Sequence, residues 1–194
     1  MPRIFDESGR ERVQEQLLEA GFDLIKQYGL RKTSISDIAQ KAGIATGTFY
    51  NFYKSKEEFV YQIVLYKRNV VKGYFETLIK SGNANRKGFR DYLRVIYHSD
   101  NNIFDYLNES EMAILNARWP KEYWKNKEND ENTSEWMLSN LDGVSSECNW
   151  RVFANLTKSI SLIRYGRVRL YPEEYEESLD IYIDAIVDYV FGKQ

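Results

Sequence analysis

Between Thr33 and Lys56 the chain reads TSISDIAQKAGIATGTFYNFYKSK. Hydroxyl and amide side chains (Ser34, Ser36, Thr46, Thr48, Asn51) stand there among small apolar residues and aromatics, with lysines on either side. Hydroxyls, amides and ammonium groups are the donors that meet phosphate oxygens and base edges. Elsewhere the sequence offers little reactive chemistry. It has no Gly-rich phosphate loop, no strand-turn-helix nucleophile elbow and no Cys/His cluster. One His (His98) and one Cys (Cys148) exclude an internal disulfide and leave too few ligands for a structural zinc site. A Ser-His-Asp triad would have to use His98, which nothing sets beside a serine. The expectation is therefore no catalytic residue, no metal, no cofactor and no enzyme activity.

Elements of helical period must position that segment. Ser34 to Ala42 can form two turns with Ile35, Ile38 and Ala39 inward, a cap signal from Ser34 to Asp37, and Gly43 as the stop. Thr46 to Phe52 can form a second short helix that starts with small polar residues and carries aromatics behind them. Two short helices about a glycine turn are the layout of a helix-turn-helix, in which the second helix enters a major groove by its N-terminal end. Ahead of them, Val13, Leu17, Ala20, Leu24 and Tyr28 step by 4, 3, 4 and 4, one face of a helix of about five turns opened by a Ser8–Glu11 capping box and ended by Gly29. Behind them, a Ser55–Glu58 box opens a long helix with the face Phe59, Ile63, Tyr66, Val70, Tyr74 and Leu78. From Arg31 to Lys56 there are five bases (Arg31, Lys32, Lys41, Lys54, Lys56) and one acid (Asp37), a balance of +4 in a chain of net charge −2. Such an island is either an electrostatic footprint for phosphate or a solvated face.

Ile38-Ala39, Gly43, Gly47-Thr48-Phe49-Tyr50, Lys54 and Lys56-Glu57-Glu58-Phe59 resemble the signature of the tetracycline-repressor (TetR) family of one-component bacterial transcription regulators. The resemblance covers about residues 10 to 60. It implies an N-terminal three-helix DNA-binding domain, residues 1–54, and a helical effector-binding and dimerisation domain, residues 55–194. It further implies a homodimer that binds a palindromic operator in double-stranded DNA and releases it when a small-molecule effector enters the body. Thr48 and Tyr50 match positions that contact phosphate or base edges, and Gly47 one where the backbone approaches DNA. Lys56 matches a phosphate-contacting lysine, and Ser34 a hydroxyl that caps the second helix and touches the DNA backbone. Ser36, Thr46 and Asn51 fall at variable, groove-facing positions. Two departures bear on the operator sequence rather than the fold. Ala45 stands where a Ser or Thr cap is usual, a loss of about 1 kcal/mol, and Ser36 stands where a longer basic residue is common.

The chain has 194 residues, 43% hydrophobic and 15% aromatic, enough for a sizeable core. Its body reads as further helices, Lys87 to His98, Asn108 to Arg118 with a break before Pro120, and two in the last third. KNKENDEN, Lys125 to Asn132, reads as a mobile loop. The fold class is all-α. All four tryptophans lie between residues 119 and 150. Tyr97, Phe104, Trp119, Tyr123, Trp150 and Phe153 are either the lining of an effector cavity or ordinary aromatic core. The stripes Leu156, Ile160, Ile163 and Leu179, Ile183, Ile186, Val190 are assigned to a dimer seam by the resemblance, and Ile181, Ala185 and Tyr189 give the final helix a second apolar row. The acids from Tyr171 to Asp188 read as a solvated rim. A charged N-terminus without an apolar core, and no apolar run near 20 residues, lead to the expectation of a cytoplasmic protein without a leader or membrane contact. The rival reading is a helical protein-interaction module without sequence-specific DNA binding.

Overall fold

The computed structural model describes residues 7–120, 127–166 and 169–193. Among the described residues there are nine α-helices and no strand: α1 (Glu7–Tyr28), α2 (Ile35–Lys41), α3 (Thr46–Phe49), α4 (Lys56–Lys80), α5 (Arg86–His98), α6 (Glu109–Arg118), α7 (Lys127–Ser139), α8 (Trp150–Tyr165) and α9 (Tyr175–Phe191). The all-α expectation holds. No helix among the described residues is long and apolar enough to cross a membrane. The chain forms two compact units, Met1–Asn69 with Asn102–Lys121, and Val70–Asn101 with Glu122–Gln194. The packing boundary therefore runs through α4, and a segment holding α6 belongs with the N-terminal helices.

The first unit is built on the inward face of α1, where Val13, Leu17, Ala20 and Ile25 are buried, and on Phe59, Val60 and Ile63 of α4, which are buried as well. α1 approaches α4 closely because residue 21 is glycine: a Cβ there would lie 2.3 Å from the Phe59 ring. Phe59 sits 5.1 Å from Phe49 and 4.9 Å from Tyr53, ring centre to ring centre, so the α3 segment is anchored on the same cluster. Two start signals differ from their sequence reading. Ser8 lies inside the first turn of α1, not at its cap. Glu58 reaches back to the amide of Lys54 rather than Ser55, while its own amide donates to the Ser55 hydroxyl. Tyr74 turns out to solvent and Phe75 is buried, because each step of four along the predicted stripe overshoots a turn by about 40°.

In the second unit, Phe75, Phe89, Leu93, Phe153, Ile160, Leu179, Ile183, Ile186 and Val190 form one core. Alongside it, α5 and α9 carry a ladder of charge. Arg86 pairs with Asp188, Arg90 with Asp184, Arg94 with Asp180, and His98 with both Glu176 and Asp180. Bases every four residues on α5 meet acids every four residues on an antiparallel α9. Four of the seven acids read as a rim are therefore paired within the chain. Arg164 of α8 is buried, and its guanidinium donates to the carbonyls of Ser99 (2.7 Å) and Ile96 (3.3 Å) at the end of α5. A cation there is stabilised by the negative end of the helix dipole.

KNKENDEN is a further correction. Residues 127–132 of it are the start of α7, while Lys125 and Asn126 lie outside the described residues. The helix is anchored further on, where the Trp136 ring packs 5.3 Å from Phe75. Lysine and glutamate are good helix formers once such an anchor exists.

Candidate nucleic-acid interface

The turn chemistry of the helix-turn-helix is local and can be traced bond by bond. The Ser34 hydroxyl accepts from the Asp37 amide (3.1 Å) and the Asp37 carboxylate accepts from the Ser34 amide (3.1 Å), a reciprocal box that starts α2. The same hydroxyl donates to that carboxylate (2.6 Å). These bonds hold the Asp37 carboxyl below its ordinary range. α2 closes with the amides of Ala42 and Gly43 on the carbonyls of Ile38 and Gln40 (2.9 and 3.1 Å). Gly43 then takes φ +71°, a left-handed conformation open to glycine at little cost. Ile44 bonds back to Ala39 (3.0 Å), so the turn is tight.

α3 is shorter than its sequence reading. It ends at Phe49, after which the amides of Asn51 and Phe52 bond three residues back, to the Thr48 and Phe49 carbonyls (3.1 and 3.0 Å), a tighter turn followed by buried Tyr53. Ala45, at its cap, has no side-chain bond to the helix, in keeping with the expected loss of a cap. Phe49 is wholly buried and holds the short helix to the core. What remains outside is a polar row: Ser34, Ser36, Thr46, Gly47, Tyr50 and Asn51 are exposed and Thr48 is half-buried. Tyr50 is 56% exposed and leans its ring edge-on to Phe49 at 5.6 Å, so an apolar support orients a solvent-facing hydroxyl.

The charge is less free than its count suggested. Lys41 is paired with Asp23 of α1 at 2.9 Å. Lys56 is half-buried, and its ammonium donates to the Leu30 carbonyl. Burial lowers its pKa, and the nearby Glu111 and Glu57 oppose that shift. An ammonium has three donors, so one such bond leaves others available. Arg31, Lys32 and Lys54 are exposed. Sequence reading missed one base beside this face: the Arg10 guanidinium of α1 lies 5.0 Å above the Phe52 ring, next to Asn51. Its signal was outside the window, since it comes from the start of a different helix.

The aromatic residues read as a cavity are divided between the two units. In the first, Trp119 is buried, donates its indole N–H to the Glu57 carbonyl (2.9 Å) and meets Phe104 edge-on at 6.3 Å. In the second, Phe153 is core, and the Tyr97 hydroxyl donates to the Thr157 carbonyl (3.2 Å). Burial raises the Tyr97 pKa although Arg164 opposes the shift. Trp150 has the Arg151 guanidinium over its ring at 4.5 Å. Tyr123 lies outside the described residues. Packing thus accounts for Trp119, Tyr97 and Phe153. A groove of about 410 Å³ opens instead in the first unit, between Tyr28–Lys32 and Asp105–Glu111. No group of three metal-ligating side chains occurs among the described residues.

The seam residues need correction too. Ile160, Leu179, Ile183, Ile186 and Val190 are each 1% exposed or less within the single chain, and Leu156 and Ile163 are half-buried. A side chain already covered by its own chain has little apolar surface left for a partner. The exposed apolar residues of the same helices are Val152 and Leu162 (71%) on α8 and Ile181 (63%) and Tyr182 on α9.

Comparison with known proteins agrees with this geometry. Residues 17–63 match the family model described as bacterial regulatory proteins, tetR family. The HTH-type transcriptional repressor KstR2 of Rhodococcus jostii (strain RHA1) is 28% identical over 122 residues, 61% of this chain and 60% of that protein. The HTH-type transcriptional regulator YvdT of Bacillus subtilis (strain 168) is 48% identical over 46 residues, 24% of each chain. The matches thus span three fifths of the first relative's length and about a quarter of the second's. The fold is shared over nearly the whole chain with a transcriptional regulator from Rhodococcus sp. RHA1, with a TM-score of 0.61 at 17% identity, covering 93% of this chain and 99% of that one.

Proposed function

We propose that this chain, which belongs to the TetR family of bacterial regulatory proteins, is a ligand-responsive DNA-binding repressor that acts as a homodimer on a palindromic operator. The observation that carries the reading is the polar row on α2 and α3. Ser36, Thr46, Gly47, Tyr50 and Asn51 are exposed along one short, buried-cored motif, where a helical bundle with no other task would need no such donors. Residues 1–54 serve as the DNA-binding module, and residues 55–194 bind effector and partner. Asn51 is suited to bidentate pairing with adenine, while Ser36 and Thr46 discriminate less. Thr48, Tyr50 and a remaining donor of Lys56 meet phosphate and sugar, which fixes register on the duplex, while the Ser34 hydroxyl, its one proton on Asp37, serves as the cap of α2.

The exposed apolar residues Leu162 and Ile181 support a dimer whose seam is the outer side of α8 and α9. Two reading helices related by that two-fold axis would fall about 34 Å apart, one turn of B-DNA. A small molecule releases the operator only by binding more tightly to a dimer in which this spacing is lost. The test is a fluorescence-anisotropy titration with a duplex selected from a random-sequence pool. Binding that prefers this duplex over scrambled DNA, tightens as salt falls and weakens in Tyr50→Ala supports the repressor. A folded dimer that selects no sequence leaves the protein-interaction module.

A further inference from the structure

The peptide group joining Leu30 to Arg31 is held from both sides. Its carbonyl accepts from the Lys56 ammonium, and its N–H donates to the Glu111 carboxylate at 2.7 Å. Lys56 is the first residue of α4 and Glu111 lies in the first turn of α6. This peptide stands one turn ahead of the Ser34 cap, and the Leu30 carbonyl also accepts from the Thr33 amide (3.3 Å). The bond between residues 30 and 56 therefore closes the α2–α3 motif at its two ends. Glu111 is buried, only 6% exposed. Its second oxygen accepts from the Asn108 amide at 3.0 Å and so caps its own helix. One carboxylate thus joins the start of α6 to the turn that enters the motif. A buried carboxylate is costly unless it is hydrogen-bonded or near a cation; Glu111 has the two amide bonds, and the charge of Lys56 acts on it as well.

We propose that Glu111 is a positioning residue for DNA recognition, fixing the Leu30–Arg31 peptide, and with it the closed α2–α3 motif, to the first turn of α6. This rests on the DNA-binding reading above. Glu111 itself touches no DNA; it acts through the Arg31 amide and through Lys56. Whatever displaces the first turn of α6 must then either carry the motif with it or break this bond.

The probe is a duplex selected from a random-sequence pool by the parent protein, with a scrambled duplex beside it. Glu111→Ala is expected to weaken binding to the selected duplex about tenfold. Its affinity for the scrambled duplex and the slope of log K against log salt are expected to stay at parent values, because no phosphate contact is lost. Partial unfolding would lower both affinities by one factor. Glu111→Gln keeps one acceptor but puts an NH2 group at the other, and is expected to fall between. In Lys56→Met the slope drops by about one, and adding Glu111→Ala to it produces less than the tenfold further loss, since both act on the same peptide. A folded Glu111→Ala that binds the selected duplex like the parent overturns the proposal. If that variant does not fold, parent-like binding by Glu111→Gln overturns it. A parent that selects no sequence sinks the DNA-binding reading, and this proposal falls with it.

Discussion

Tyr50 and Gly21 mark two kinds of residue in the first unit, one that faces outward and one that makes room inside. Tyr50 rests on Phe49 and adds nothing to the core, so Tyr50→Ala should leave the melting temperature within a degree or two while weakening operator binding about tenfold, read by anisotropy and thermal melting on the same sample. Gly21→Val should do the reverse of silent. The added methyls meet the buried Phe59 ring, and overpacking of this kind costs about 1–3 kcal/mol. A urea titration that showed no loss would mean that α1 and α4 can part without penalty. The Ser34 cap, the Gly43 turn and the uncapped Ala45 were legible in the sequence because each is settled within four residues. Gly21 was not, because its reason is a ring on another helix. Glu111 left no sign in the sequence for the same cause: the Arg31 amide it accepts from is 80 residues away.

Among the elements, the contrast between α7 and α9 shows what periodicity can and cannot say. The polar run that became α7 has no stripe of its own, and Trp136, further along the same helix, holds it in place. α9 showed its stripe clearly, yet period alone does not say whether the same chain or a partner covers it. Here the chain itself covers Leu179, Ile183, Ile186 and Val190. The acids of α9 looked idle because their partners are bases some 80 to 100 residues earlier. Half-exposed pairs of this kind contribute about 0.2–1 kcal/mol each. The hydrogen bond from Arg90 holds the Asp184 carboxyl below its ordinary value. Its share of stability is thus present above the unfolded-state value near 4 and is lost as pH falls through the lower folded value. Asp184→Asn should therefore unfold at lower urea than the parent at pH 7, with the gap closing at acid pH. High salt should narrow it as well.

For the whole molecule, the quantity that matters is how two copies meet. Leu162 and Ile181 are the largest exposures of aliphatic surface on α8 and α9. Leu162→Asp with Ile181→Asp should convert a dimer in sedimentation to a monomer whose helical content is unchanged, and binding to a two-fold operator should fall by more than tenfold. A dimer that survives both changes places the seam elsewhere. The sequence could say that the final helix was apolar on two sides. Which side faces out required the fold, because the deciding contacts come from Phe75, Phe89 and Phe153.

The α5–α9 ladder has a further geometric property. Its rungs are spaced by four residues on both helices and run in opposite directions, so the pattern repeats on itself after one turn. A slide of α9 along α5 by four residues, about 6 Å, would set Arg86 opposite Asp184, Arg90 opposite Asp180 and Arg94 opposite Glu176. Three of four rungs would re-form, and only the ends would be lost. The charges therefore act as evenly spaced teeth, and by themselves separate neighbouring notches by a single rung. The notch is chosen at the ends, where Arg86 also donates to the Gly192 carbonyl (2.6 Å) and His98 bridges Glu176 and Asp180.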